Sequence, residues 1–444
     1  MYISRVTIDN IKGFRHLDLD FRRADGGLAG WTVLAGRNGS GKTTLLRALA
    51  LGVAGPQAAL RLMPDFRGWV RAAAVEATLD LAVEASDSFD VLDRAIPDPD
   101  PGPIKATLRW AVPRQTGLEP TLQADGSHEN EDARRTLWGR TAEFGWFACG
   151  YGATRRVARS TEVPQTYDAT SRVGSLGSLF REEASLEGAV GRLQQIYLRS
   201  LDTNLEARRR EQASELLSEL RELLNDGLLP DGVVVKQVDS RGLWVTQDGA
   251  ELLLEDLSDG YRVVCALVID LVLRLSRDGV FFRSRANNDL RPLTDIAAVV
   301  LIDEADLHLH ISWQQKLGFW LKAHFPKVQF IVTSHSPFIC QAADQIILLP
   351  PIGSEDLARP VSPEVFRSVV NGSVEDAVLS ELFGLESSRS RQAEDLLREL
   401  SLLERKVRKQ TATEEEARRY RELDARMPAS ADVDRAWMAV RAPR

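Results

Sequence analysis

Gly36-Arg37-Asn38-Gly39-Ser40-Gly41-Lys42-Thr43 fulfils the pattern G-x-x-x-x-G-K-[ST], and its reading decides the fold. Glycines at these positions let successive backbone N–H groups curl round a phosphate chain. Lys42 then reaches the β- and γ-phosphates, and the Thr43 hydroxyl ligates Mg²⁺. The flanks agree. Trp31-Thr32-Val33-Leu34-Ala35 reads as a buried strand entering the loop, and Thr44-Leu45-Leu46-Arg47-Ala48-Leu49-Ala50 as a helix leaving it. The positive end of that helix would face the phosphates. The expected nucleotide contacts are Gly36, Asn38, Gly39, Ser40, Gly41, Lys42, Thr43 and Thr44.

A second half of the site lies far downstream. Ala297-Ala298-Val299-Val300-Leu301-Ile302-Asp303-Glu304 is an unbroken apolar strand ending in two carboxylates, as a metal-and-water site at the edge of a parallel sheet requires. Asp303 would hold Mg²⁺ and Glu304 would polarise the attacking water. Two further elements are ambiguous when read alone. Leu257-Ser258-Asp259-Gly260-Tyr261-Arg262 opens a long apolar helix, Val263 to Leu273. Ser258 and Gly260 there suit either an anion-binding N-terminus or an ordinary capped core helix. Phe330-Ile331-Val332-Thr333-Ser334-His335-Ser336-Pro337 is a strand ending in a histidine, which by itself is as readily structural. It is the order of the four elements that favours the functional reading.

In that order the chain resembles the ABC-type ATPases of the RecF/SMC/OLD branch. Leu257 to Tyr261 is similar to their signature, which acts on the ATP of the opposite subunit. His335 matches their switch histidine, and Asp303-Glu304-Ala305-Asp306-Leu307-His308-Leu309-His310 resembles their D-E-P-E-x-H-L-H segment. Ile3 to Phe14 is similar to their opening strand. A narrower resemblance is to the standalone anti-phage ATPases of the PtuA type, found in Septu systems and some retrons. It rests on Gly150-Tyr151-Gly152-Ala153-Thr154-Arg155, on the L-S-D-G-Y-R signature and on Val374 to Leu385. Asp259 stands where the signature has its first glycine, Asp306 where a glutamate is common, and no Q-loop glutamine is assigned after the strand expected at Phe144 to Cys149.

The resemblance implies an α/β fold: an ABC-type P-loop head with a mixed β-sheet, an antiparallel β subdomain, a helical signature lobe and a C-terminal helical extension. The head is expected over residues 1–352, with the lobe at about 160–275, and a linker and helical region over 353–444. ATP and Mg²⁺ are the implied cofactors, ATP hydrolysis the activity, and Glu304, His335 and Lys42 the catalytic set. Thr43 and Asp303 would hold the metal, while Ser258 and Gly260 close on the partner's nucleotide in a homodimer or higher homo-oligomer. The implied role is a switch that regulates a separately encoded effector, such as a nuclease. A RecF-like repair ATPase that contacts DNA directly is the alternative, and an ATP-binding scaffold without turnover is a third.

Composition sets outer limits. A charged fraction of 27% and an apolar fraction of 44% are those of a globular protein. A net charge of −8 argues against a surface that coats nucleic acid, though not against a local groove. Among the basic clusters, Arg155-Arg156-Arg159 has fewer acidic neighbours than Arg208-Arg209-Arg210 or Arg405-Lys406-Arg408-Lys409, so it suits a phosphate contact better. Cys149, Cys265 and Cys340 are far apart in apolar contexts and fit a reducing cytoplasm. No secretory h-region and no membrane-length apolar run are expected.

Along the chain, Ala74–Val83 and Ile104–Val112 read as antiparallel strands joined by the proline-rich Ile96–Pro103 loop. Asp125–Asp132 reads as a mobile acidic loop, and Gly177–Asn225 as helical. A hairpin is expected from Val233–Val238 and Gly242–Thr246, turning at Asp239-Ser240-Arg241. Pro350, Pro351, Pro360 and Pro363 mark the linker. Beyond it, Ser387–Gln410 and Thr413–Met427 read as charged helices, with capping-box spacing at Thr413 and Glu416. Leu396, Leu397, Leu400, Leu403 and Val407 form an apolar stripe too thin for a core of its own, so docking on the head or another chain is expected. No nuclease domain of the OLD type and no zinc site at His308 and His310 are read here.

Overall fold

The computed structural model describes residues 1–85, 102–113, 119–123, 130–139, 147–153, 171–181, 187–276, 296–354, 356–385 and 387–426. Strands β1 (Tyr2–Ile11) and β2 (Phe14–Asp20) form an opening hairpin, after which β3 (Gly30–Ala35) enters the phosphate loop. β4 (Glu76–Glu84), β5 (Ile104–Ala111) and β6 (Thr121–Gln123) then extend the hairpin into a five-stranded antiparallel sheet, order β2-β1-β4-β5-β6. β4 alternates buried and half-buried residues, the period of a strand with one face on the core. The Ile96–Pro103 loop falls largely outside the described residues.

β7 (Phe147–Tyr151) belongs to a different sheet. β8 (Val234–Asp239), β9 (Gly242–Gln247) and β10 (Ala250–Leu253) make a small three-stranded one. β11 (Ala298–Ile302), β12 (Val328–Thr333), β13 (Gln345–Leu348) and β14 (Arg359–Pro360) join β3 and β7 in a six-stranded sheet, order β14-β13-β3-β12-β11-β7. Its pairings are parallel apart from β13–β14, so β3, β12, β11 and β7 all deliver their C-termini to one edge. β11 and β12 are buried at every residue, as strands covered on both faces must be. The helix Lys42–Ala54 packs against β4 and β5 of the antiparallel sheet and against β11 and β12 of the mixed one. Buried Gln329 ties the two sheets by exchanging 2.8 Å hydrogen bonds with the backbone N–H and carbonyl of Ile3.

Helices Glu187–Leu201, Ala207–Asn225 and Asp259–Leu275 pack on one another as the helical lobe, which also carries β8–β10. β10 was absent from the sequence reading. Its signal is the two-residue turn Asp248-Gly249, both residues at positive φ (50° and 83°), the geometry that closes tight hairpins. The acidic loop needs correction at its end. Asn130 is fully buried, its side-chain amide bonding both backbone groups of Thr107 at 2.8 and 2.9 Å, and a helical turn follows it.

The chain divides into Met1–Ala377 and Val378–Arg444. The prolines read as a linker instead accompany an edge strand, where a missing N–H costs nothing, and open the helix Pro363–Asn371, capped by Ser362. In the second unit, helices Arg391–Arg408 and Glu414–Asp424 bury Leu400, Leu403 and Leu423 between them, with Leu396 and Tyr420 alongside. The apolar stripe therefore finds at least part of its cover on the next helix. The Thr413–Glu416 capping box forms as read. All three cysteines are buried and unpaired. No helix among the described residues is long and apolar enough to cross a membrane.

Candidate nucleotide site

β3 delivers the phosphate loop to the sheet edge, and the loop turns back with Ser40 N–H donating to the Arg37 carbonyl at 3.1 Å. Gly41 adopts φ +91°, and a Cβ there would lie 2.5 Å from the Phe14 ring. Both the left-handed backbone and the close approach of the β1–β2 turn thus demand glycine. Lys42 is buried at the first helical position, its ammonium donating to the carbonyls of Gly36 (2.8 Å) and Arg37 (3.1 Å). Burial draws the Lys42 ammonium below the usual lysine range, against the opposing pull of Asp303, Glu304 and Asp306. The loop lysine and the downstream carboxylates therefore share one electrostatic neighbourhood. The helix carries no acidic residue in its first turn to oppose an anion. Thr43 and Thr44 are half-buried beside it. The Ser40 hydroxyl is buried without a hydrogen-bond partner among the described residues.

Parallel pairing places the end of β11 between the ends of β12 and β7, with Ile302 opposite both Val332 and Tyr151. Asp303 follows, buried, its N–H donating to the Tyr151 carbonyl at 2.8 Å. The Thr333 hydroxyl donates to Asp303 Oδ1 at 2.6 Å and accepts the Glu304 N–H at 2.7 Å. Glu304 is held at φ +46°, an uncommon conformation for a residue with a side chain. Asp306 Oδ1 accepts from the Ser334 hydroxyl (2.5 Å) and from the His335 N–H (3.2 Å), so the histidine backbone is tied to the acidic segment while its ring is exposed. Gln314 braces both sides, donating to the Leu309 carbonyl at 2.9 Å and accepting from the Ser336 hydroxyl at 2.6 Å. His310 caps the helix Ile311–His324.

Ser258 and Gly260 lie on another element. Ser258 is the N-cap of Asp259–Leu275, exposed, and makes no side-chain capping bond. Gly260 has a packing reason for its identity, since a Cβ there would meet the Trp313 ring at 2.9 Å. Tyr261 stacks edge-on against the same Trp313 at 4.5 Å and donates to Asp231 at 2.9 Å. The sheet order β3-β12-β11 thus brings the phosphate loop and Asp303-Glu304 to one edge, while Gly260 packs against Trp313 and the His308 carbonyl. Arg155, Arg156 and Arg159 lie outside the described residues.

Two polar arrangements escaped the sequence reading. One is the Thr333 hydroxyl. The other is a buried network in which Asp270 accepts from the Tyr151 hydroxyl (2.8 Å) and Arg274 Nε (2.5 Å) and pairs with Arg192. Burial alone would raise the Asp270 carboxyl, but Arg274 and Arg192 hold it below the usual range. Burial, reinforced by Asp270, pushes the Tyr151 phenol up. The network links the end of β7 to the helical lobe. Its signal was an aspartate inside the apolar run Val263–Leu273, with an arginine four residues on.

This donor set fits a magnesium-bound nucleoside triphosphate. Its parts are a glycine-shaped loop, a buried lysine, an orphaned serine hydroxyl, a threonine at the helix start and a buried aspartate just past the end of β11. One family model, described as "AAA domain, putative AbiEii toxin, Type IV TA system", matches residues 163–341, and a second, "AAA domain", matches residues 5–67. The Septu protein PtuA of Bacillus mycoides (strain KBAB4) is 25% identical over 337 residues, 76% of this chain and 38% of that protein. The "Retron Ec83 probable ATPase" of Escherichia coli is 34% identical over 143 residues, 32% of this chain and 23% of that one. The PtuA of Bacillus thuringiensis is 29% identical over 172 residues, 37% and 41% of the two chains. The chain spans less than half the length of these curated relatives. Among solved structures, the SMC head domain from Thermotoga maritima aligns over 82% of this chain and all of its own, with 17% identity and a TM-score of 0.40. A SmcHead bound to the C-winged helix domain of ScpA aligns over 81% of this chain and 97% of its own, with 16% identity and a TM-score of 0.48. With its phosphate loop, apolar helix after Ser258 and acidic strand end in this order, the chain is similar to the P-loop ATPases of the PtuA type and to the retron ATPases.

Proposed function

We propose that the chain hydrolyses ATP at the Lys42–Glu304 site and acts as a nucleotide-controlled dimeric switch in anti-phage defence. The observation that carries the catalytic reading is the parallel pairing of β3, β12 and β11, which brings the phosphate loop that follows Ala35 and the carboxylates that follow Ile302, elements some 260 residues apart in sequence, to one sheet edge. The loop amides and Lys42 hold the phosphates, and Thr43 and Asp303 supply metal ligands. Glu304 accepts a proton from the attacking water, with its backbone already fixed. Bound Mg²⁺ would offset the charge that builds on the transferring phosphoryl group. The remaining work is positioning and charge stabilisation.

The dimeric reading rests on Ser258, an exposed helix N-cap whose hydroxyl is not used in capping. In a head-to-tail pair it would close, with His335, on the γ-phosphate of the ATP bound by the partner's phosphate loop. ATP then stabilises the closed pair and hydrolysis releases it. The defence role, with a separately encoded effector such as a nuclease, follows the PtuA resemblance. Phosphate release and mass photometry, with and without ATP and the neighbouring gene's product, test the proposal. ATP turnover with an effector complex supports it. Salt-dependent DNA binding without an effector complex would favour the repair reading, and absent turnover the scaffold.

A further inference from the structure

We infer that Thr333 is a positioning residue that sets both Asp303 and Glu304 for hydrolysis; this rests on the assignment of those two residues above. Thr333 is fully buried at the last position of β12. Its single hydroxyl proton goes to Asp303 Oδ1 at 2.6 Å, while its oxygen accepts the Glu304 N–H at 2.7 Å. Its carbonyl takes the next amide, Ala305 N–H, at 2.8 Å. One residue therefore holds the backbone on both sides of the Glu304 Cα, at the point where the chain turns through φ +46°. It also fixes the rotation of the carboxylate assigned to the metal. Valine has the same shape as threonine but can make neither side-chain bond, whereas serine can make both.

Nothing in a purely structural role demands this pattern. A buried threonine serving only to fill space would be replaced best by valine and worse by serine. A positioning threonine reverses that order. In Thr333→Val the Glu304 amide loses its acceptor and the Asp303 carboxylate its donor, so the water-polarising group drifts by a fraction of an ångström. Turnover should fall by on the order of 10–10²-fold, the effect of a small misplacement of reacting groups. Nucleotide affinity should move by less than about 3-fold, because the phosphate loop is untouched.

The test compares wild type, Thr333→Val, Thr333→Ser and Thr333→Ala. The readouts are kcat and KM for ATP, affinity for a fluorescent ATP analogue, and amide hydrogen exchange of residues 303–306 in nucleotide-free protein. The expected result is a low kcat and faster exchange at Glu304 in Thr333→Val and Thr333→Ala, with Thr333→Ser within a few-fold of wild type in both. Thr333→Ala keeps the test decisive if valine disturbs folding, because it adds no atoms. Wild-type kcat in Thr333→Ala or Thr333→Val, or serine as slow as valine, overturns the inference. Glu304→Gln is run in parallel. If it hydrolyses at the wild-type rate, the base assignment itself has failed. If it is slow while Thr333→Val is normal, only the positioning role has failed.

Discussion

At the C-terminal edge of the six-stranded sheet, Asp303 and Thr333 are buried and joined by a 2.6 Å hydrogen bond. Their neighbours Ser334, Asp306 and Gln314 each have a bonded partner. At the start of the Asp259–Leu275 helix, Ser258 is exposed, its hydroxyl caps nothing, and Asp259 reaches out to pair with Arg262. A rigid edge suits chemistry that each copy must hold ready before nucleotide arrives. An open helix start suits a group whose counterpart comes from outside. On the proposed dimeric reading, one copy would supply only half of a working site.

The comparison can be broken at either end, and the largest effect is expected at the rigid one. Glu304→Gln should retain ATP binding while slowing turnover by on the order of 10²–10⁴-fold, the usual contribution of a positioned base. It should also accumulate the nucleotide-loaded dimer. Phosphate release and mass photometry check both, and near wild-type turnover would send the base role elsewhere. Lys42→Ala should weaken ATP binding by about 10²–10³-fold, the scale for losing one partner of a buried charged contact. Equilibrium titration with labelled nucleotide measures it, and unchanged affinity would dismiss the phosphate loop.

At the open end, Ser258→Arg should change ATP affinity of the single chain by less than about 3-fold, since an exposed cap on a separate element contributes little to its own nucleotide. Assembly driven by ATP should be abolished, because a bulky cation now occupies the helix start. Mass photometry that still finds ATP-dependent dimers would contradict the trans-acting signature. The smallest effect is expected where the two regions meet. Tyr151→Phe strips one donor from buried Asp270 and should cost about 1–3 kcal/mol of stability without altering nucleotide affinity. Thermal unfolding followed by circular dichroism reads the cost, and an unchanged melting temperature would mean the Tyr151 bond contributes nothing.

What could be read from the sequence was what is local in it. The phosphate loop spans eight consecutive residues, and Asp303-Glu304 announces itself by ending an apolar run. Thr333 is different. Its importance depends on parallel pairing that sets the end of β12 beside the end of β11, and no spacing within one segment reveals that. The Asp270 network likewise needs β7, two helices and a buried charge to converge. Other misses came from weighting. Pro360 reads as linker because it stands among clustered prolines, yet an outermost strand does not need every ladder donor. Asp248-Gly249 carried a hairpin signal that was not used. Asn130 stood in an acidic run whose composition hid one side chain shaped to clamp a strand.

The buried cysteines carry a practical consequence. Burial pushes the thiols of Cys149, Cys265 and Cys340 up to about 12, so hardly any thiolate exists at neutral pH and none is open to a reagent. The folded chain should be silent to maleimides and disulfide probes. A cysteine introduced at an exposed position away from Ser258 would then be the one group to react. Fluorophore pairs could then test the proposed pairing of subunits without first stripping the native residues from the core. The same silence makes modification of the native thiols a clock for global opening, because each becomes reactive only when the strand or helix around it comes apart.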